Sequence, residues 1–502
     1  MTTTRNLLLL TSDQQHWFTL GVQNPEIKTP ALDRLAARGT LFRRAYCPNP
    51  TCTPTRSSII TGLMPSRHGA YTLGTKLPES VPTIGGHLSA AGYRTSLIGK
   101  AHFQQLKSTP EYPSLESPPE IHDYDFWRAF NGPFYGFDHV ELTRNHADEG
   151  WVGQHYALWM EQQGFADWRK CFQPPGGTHE RQKWRWNIPE RYHYNRWITD
   201  RTIARMEEHQ RNNEPFLIWA SFFDPHPPYL APEPWDTLYA GASLTVPHGR
   251  PGEHDKNPPH FQLTQQANPD FSAWDEPDGH IIHGFHAHRD TPEHRRRAME
   301  VYYGMITLMD KYIGQILDRL DALGLTDSTL VVFTSDHGHL FGQHELLAKG
   351  AFHYEDLLRV PFIASQPGAI PQGRVTDDLV SLVDLTPTMM DAVGQPVPAG
   401  LDGKSQWNAW RGGNAARDHV LVENRHQPHT LHLLTRIDKR YKITVYKNRD
   451  YGELFDLEAD PGEFNNLWNE PSAQALKQDL LARIPRDSLT NDPPPMPRIA
   501  VA

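Results

Sequence analysis

Cysteine is scarce in this chain: Cys47, Cys52 and Cys171 are the only three in 502 residues. Three scattered thiols make no disulfide framework, and no Cys-x-x-Cys pair points to zinc. Long hydrophobic runs are missing as well. The opening MTTTRNLLLLTSDQQ has four leucines before it turns polar, too short for a signal-peptide core or a membrane span, so the cytoplasm is the expected location. No excess of positive charge exists either. Lysine and arginine number 49 against 59 acidic residues, a formal charge of −10. That balance gives no global attraction to nucleic acid or an anionic membrane and leaves room only for a local basic pocket. Beyond one Thr-Ser-Asp echo, internal repeats and low-complexity blocks are also absent. What remains is an ordinary globular composition, 38% hydrophobic and 22% charged, long enough for one large catalytic domain and a smaller one.

Two segments echo each other. LLLLTSDQ runs from Leu7 to Gln14 and LVVFTSDHG from Leu330 to Gly338. Each is a short apolar run without alternation, as in parallel strands buried on both faces. Ligands of open α/β sheets bind beyond the carboxyl ends of the strands. If the two strands are neighbours, Asp13 and Asp336 share one edge, each followed by a further donor, Gln14 and His337. Two carboxylates, an amide oxygen and an imidazole make a divalent metal site. Oxygen ligands favour calcium or magnesium, and the histidine shifts the balance toward manganese or zinc. Taken singly, either aspartate could instead cap the turn after its strand.

Helical and strand patterns alternate between and around these segments, which predicts an α/β fold: a large, mainly parallel sheet flanked by helices. Residues 1–395 are expected to form this catalytic domain. Residues 241–290 form a surface excursion rich in His, Pro, Asn and Asp, whose histidines (His248, His254, His260, His280, His283, His286, His288) fit no metal spacing and read as solvated loop residues. Residues 396–502 read as a smaller α+β unit on an antiparallel sheet, with a helix over Ser472 to Ile484 and a Pro-rich tail.

The stretch PNPTCTPTRSS, Pro48 to Ser58, sets one of the rare cysteines in a turn unlike a core. Thr53 is a good N-cap and Pro54 a good first helical residue, so a helix is expected to run to Gly62 with Cys52 at its mouth. Backbone N–H groups there favour an anion, and Arg56 one turn on could reach back to the same point. Three readings follow: an inert packing cysteine, a thiolate nucleophile whose pKa the helix end and Arg56 lower, or a cysteine converted after translation.

CTPTR, followed by SSIITG and PSRHG, resembles the signature of type I sulfatases in the alkaline phosphatase superfamily. The similarity extends to LFDLEADPGEFNNL near the end. It implies that Cys52 is oxidised to formylglycine by a formylglycine-generating enzyme. The hydrated aldehyde would then attack a small-molecule sulfate ester, forming a covalent sulfo-enzyme intermediate. Carried over by motif, Asp13, Gln14, Asp336 and His337 match the metal ligands, joined by residue 52. Arg56 matches the arginine beside the nucleophile. GKAHF supplies Lys100 and His102, FFDPHPPY supplies His226, and HELLAKG supplies Lys349. Read alone, Lys100 is a solvated lysine, His226 a rigid-loop residue and His102 a core histidine. The resemblance also implies one divalent cation, Ca2+ or Mn2+, and a homo-oligomer, with a dimer favoured. Many sulfatases show Asp-Asp and Asp-Asn at the metal pairs. Asp-Gln and Asp-His here are similar to the phosphonate monoester hydrolase and phosphodiesterase branch, whereas GKAHF pulls back toward sulfatases. A non-catalytic anion-binding homologue is the remaining alternative. The aromatics of YGFDHV and WRWNIPERYHYNRW, with Tyr71, are read either as an apolar face for the ester's organic group or as packing.

Overall fold

The computed structural model describes residues 4–144, 152–172, 184–274, 282–427, 430–484 and 496–499; His280 and most of the Pro-rich tail lie outside them. Eight strands build the central sheet: β1 (Asn6–Ser12), β2 (Thr40–Phe42), β3 (Arg94–Gly99), β4 (His139–Leu142), β5 (Phe216–Ser221), β6 (Thr329–Ser335), β7 (Phe362–Ser365) and β8 (Arg374–Thr376). Their spatial order is β8-β2-β7-β6-β1-β5-β3-β4. Only β7 runs against its neighbours β2 and β6.

The apolar runs are explained by burial on both faces. Leu7 and Leu9 of β1 enter one core with Ile59 and Ile60, while Leu8 and Leu10 enter a second. That second core takes Leu32 and Leu35 of helix α1 (Pro30–Ala37). It also takes Trp197 and Ile198 of α3 (Tyr194–Arg211), and Ile313 and Ile316 of α4 (Pro292–Ala322). A strand wet on one side would alternate; this one has no wet side. Trimming one of its leucines to alanine removes ~2–5 kcal/mol. Ile59 and Ile60 belong to α2 (Cys52–Thr61), which therefore lies on the other face of the sheet from α1, α3 and α4.

The second sheet is antiparallel in the order β9 (His419–Gln427), β10 (Leu431–Asp438), β11 (Tyr441–Tyr446) and β12 (Gly452–Asp456). After α5 (Leu385–Ala392), the last helix, α6 (Gln474–Ala482), packs Leu480 against Leu434, Ile443 and Leu454 of this sheet. Its edge strand reaches the Cys52 turn: Glu423 N donates to Pro48 O at 2.8 Å, and Asn49 Nδ2 donates to Glu423 O at 2.7 Å.

Among the described residues, the excursion is more than a surface loop. Phe261, Trp274, Ile282 and Phe285 are buried with Leu346, Phe352, Leu433 and Phe455 in a core of their own. The expectation of solvated histidines is corrected with it. His254, His260 and His288 are buried, His283 is half-buried, and only His248 and His286 are exposed.

Candidate active site

Helix α2 starts two residues earlier than the sequence pattern suggests. Thr51 is its N-cap and Cys52 its first residue. Asn49 decides this: its Oδ1 accepts from Thr51 N at 2.9 Å and from Thr51 Oγ1 at 2.6 Å, closing the turn before the helix. Thr55 N then bonds Thr51 O, and Gly62 ends the helix at φ 69°. Cys52 is buried, with Sγ 3.2 Å from His337 Nε2, 3.2 Å from Lys349 Nζ and 3.6 Å from Asp13 Oδ1. Burial, with Asp13 adding to it, pushes the thiol up to about 11 against the offsetting charges of Lys100 and Lys349. The lowered thiol expected from the helix end and Arg56 is not found, because burial outweighs the nearby positive charge, and the Arg56 guanidinium is turned to other partners. Arg56 Nε donates to Asp336 Oδ2 at 2.8 Å, and Nη1 donates to Lys100 O and Ser221 Oγ at 3.0 and 2.8 Å.

The echo of the two segments is a structural register. Strands β1 and β6 are parallel neighbours with Ser12 opposite Ser335, so Asp13 and Asp336 emerge side by side. Asp336 Oδ1 accepts from the backbone N–H groups of Gln14 and His337, both at 2.9 Å. Burial alone would raise the Asp13 pKa, but Lys100, Arg56 and Lys349 outweigh it and hold the carboxyl well below the usual range. His337 Nδ1 donates to Gly338 O at 2.9 Å, which leaves the lone pair on Nε2, facing Cys52. Gly338 itself is required: a Cβ there would lie 2.4 Å from Asp356 O. One donor atom from each of Asp13, Cys52, Asp336 and His337 lies within 4.8 Å of the others. Gln14 Oε1 is buried with no hydrogen-bond partner. An orphaned amide oxygen beside two carboxylates and an imidazole lone pair fits a divalent cation.

Lys100 follows the sheet edge where β3 turns away. Gly99 sits at φ 104° so close to β5 that a Cβ would lie 2.0 Å from Ser221 O. The Lys100 ammonium contacts Asp13 Oδ2, a buried ion pair rather than a solvated lysine. His102 takes φ 58°, and both its ring nitrogens are buried without a hydrogen-bond partner. Burial, then the charges of Lys100, Arg56, Arg144 and Lys349, hold its pKa well below the usual imidazole range, so the ring is neutral. Its turn is fixed by Glu116, a residue sequence reasoning missed. The buried carboxylate accepts from the backbone N–H groups of His102, Phe103 and Gln104 at 2.5, 2.8 and 2.9 Å.

His226 Nδ1 donates to Pro227 O at 2.6 Å, so the neutral ring has its lone pair on Nε2, which accepts from Lys349 Nζ at 3.3 Å. The segment carrying Lys349 is held by the excursion. His254 donates to His344 O, His260 donates to Ala351 O, and His288 accepts from Leu347 N. The structure thus brings all ten sequence-derived site residues to one place, with Arg56 behind Asp336 rather than facing the nucleophile. The aromatics Trp186, Tyr194 and Trp197 belong to the sheet's second core.

The sequence profile of the sulfatase family matches residues 5–395. The chain belongs to the sulfatase family. A second profile, the C-terminal region of N-sulphoglucosamine sulphohydrolase, matches residues 342–489. Among curated relatives, this sulfatase-family chain is 26% identical to the multifunctional alkaline phosphatase superfamily protein PehA of Trinickia caryophylli, covering 95% of this chain and 94% of the relative. It is 28% identical to an arylsulfatase of Clostridium perfringens, covering 92% and 90%. The fold of this sulfatase-family chain matches that of a phosphonate monoester hydrolase from Silicibacter pomeroyi with a TM-score of 0.77 at 25% identity, covering 98% and 96%. The chain is thus a sulfatase-type hydrolase.

Proposed function

We propose that the protein hydrolyses sulfate monoesters, aryl sulfates or similar, with a formylglycine made from Cys52 as nucleophile and one divalent cation, Mn2+ or Ca2+, held by Asp13, Gln14, Asp336 and His337. The observation that carries this is the placing of Cys52 Sγ within 3.6 Å of Asp13, His337 and Lys349. When bound, the cation would supply Lewis-acid charge at the sulfuryl oxygens, and the hydrated aldehyde would supply one hydroxyl to attack and one to release the product. The chain's own residues do the rest. Lys100 and Lys349 set fixed positive charge around the ester head, in a water-poor pocket where such charge is strongest. His102, neutral and unpartnered, takes the proton of the second hydroxyl as the hemiacetal sulfate opens and sulfate leaves. Lys349 and His226 share one N–H···N contact, and we assign that pair as the source of the proton or positive charge met by the departing alkoxide. Arg56 acts at one remove, fixing Asp336.

Weaker turnover of phosphonate monoesters and phosphodiesters is part of the proposal. The neutral Gln14 and the imidazole His337 favour it, as does the likeness to the Silicibacter hydrolase. The test is a parallel assay on aryl sulfate, aryl phosphonate and aryl phosphodiester, using enzyme whose aldehyde at position 52 is verified by mass spectrometry. Highest kcat/KM on the sulfate ester is expected. Metal-loaded, aldehyde-bearing enzyme that turns over phosphorus esters and not sulfate would overturn the assignment.

A further inference from the structure

Gln14 is held from both ends. Its backbone N–H donates to Asp336 Oδ1, and its carbonyl accepts from Tyr302 Oη at 2.9 Å, fixing a φ of 59°. Its side-chain nitrogen lies 2.7 Å from Nδ1 of His339, and the other nitrogen of that ring, Nε2, lies 2.6 Å from Tyr229 Oη. The imidazole is stacked on Tyr302, with centroids 5.5 Å apart and planes 18° apart, so the ring cannot turn away. This chain of contacts has two consistent solutions, and the neighbouring cluster of carboxylates and imidazole selects the one in which the amide nitrogen faces His339. An amide nitrogen only donates, so Nδ1 of His339 accepts, the ring proton sits on Nε2, and that proton goes to the Tyr229 oxygen. The opposite amide orientation would aim two N–H groups at the cluster of Asp13, Asp336 and His337, which is built to receive a cation.

We infer that His339, with its ring proton on Nε2 directed at Tyr229, is a positioning residue that turns the side-chain oxygen of Gln14 toward the cation. The inference rests on Gln14 being a cation ligand. It assigns a role to two residues outside the set read from the sequence. It also links two parts of the site, because Tyr229 lies three residues after His226 on the same loop. Whatever holds that loop in place also holds the Gln14 amide the right way round.

The test is Mn2+ binding to chelator-stripped full-length protein, measured by calorimetry, for Gln14→Ala, His339→Phe, the double variant and Tyr229→Phe. His339→Phe is expected to weaken the Kd by about 10- to 100-fold, the effect usual for partners that orient metal ligands. The double variant should bind no worse than Gln14→Ala, because a residue acting through Gln14 has nothing left to orient. A residue that merely supports the fold would give losses that add. Tyr229→Phe removes one oxygen and should loosen binding in the same direction by a smaller factor. Wild-type affinity in Gln14→Ala would refute the ligand reading itself. A loss in Gln14→Ala with wild-type affinity in His339→Phe, or additive losses, would refute the positioning role alone. If His339→Phe fails to fold, Tyr229→Phe decides, and an unchanged Kd there overturns the relay.

Discussion

Replacing Lys100 with methionine separates two effects that a simple loss of activity would confuse. The ammonium is buried against Asp13 Oδ2, so it occupies the electrostatic space that a cation ligated by Asp13 also needs. Two unit charges ~4 Å apart interact by ~4 kcal/mol at an effective dielectric of ~20. Relaxation and water entry reduce the gain, so removing the lysine should tighten Mn2+ binding by about 10- to 100-fold, or ~1.4–2.8 kcal/mol. Turnover should move the other way. A sulfate monoester spreads its charge over three terminal oxygens, all open to cationic contact, while a diester puts an organic group at one of those places. Losing one fixed donor costs ~100- to 1000-fold where it meets transition-state charge. The aryl sulfate should therefore lose that much in kcat/KM, and the phosphodiester less than about tenfold. Methionine keeps most of the side chain's length, so no large cavity opens. The assays are calorimetry on stripped enzyme and steady-state kinetics on both esters under saturating Mn2+. Equal losses on both substrates, or weaker Mn2+ binding, would refute the placing of Lys100 as a charge shared between cation site and ester.

Cys52→Ala should abolish hydrazide labelling of the aldehyde and lower kcat by on the order of 10⁴- to 10⁶-fold, as loss of a nucleophile does; retained turnover would remove the nucleophile from the scheme. Glu116→Gln replaces one of the oxygens receiving the N–H groups of residues 102–104 with a second donor. His102 should shift and kcat fall ~10- to 100-fold with KM little changed, whereas an unchanged kcat would show that the turn holds without the carboxylate. Glu141, outside the site residues, offers a stability test. Burial would raise its pKa, but hydrogen bonds from His139 and Arg201 outweigh that and lower it to about 2. Its contribution is thus present above the unfolded carboxyl pKa and lost as pH falls from about 4.5 toward 2. Glu141→Gln should cost about 3 kcal/mol at neutral pH, and the gap in thermal midpoint from the parent should narrow at pH 3; a gap that does not change with pH would count against the argument.

Much of this was legible in the residues. Unalternating leucines and valines ending in Thr-Ser-Asp predicted two doubly buried strands, and one register brings their aspartates together. Lys100 with His102, His226, and Lys349 come from three separate segments, and only the family resemblance linked them in advance. The sequence misled where an outcome depends on partners distant along the chain. Arg56 looks free to turn back to Cys52 until Asp336 and Ser221, brought in by two other strands, claim its guanidinium. The helix start moved because Asn49, outside the capping pattern considered, closes the preceding turn. Glu116, Tyr229 and His339 carry no local signature; what they do is set by which atom they face.

The histidines of residues 241–290 also bear on how this enzyme could be re-engineered. His254, His260 and His288 grip the backbone of residues 344–351, so the insert works as a splint for the strip that presents Lys349. Trimming it to shorten the protein would free the lysine along with the loop. A chimera that borrows a different excursion must borrow the matching strip as well, since the two form one transplantable unit. Substrate range could then be changed in this half of the pocket while the sheet edge that grips the cation stays untouched.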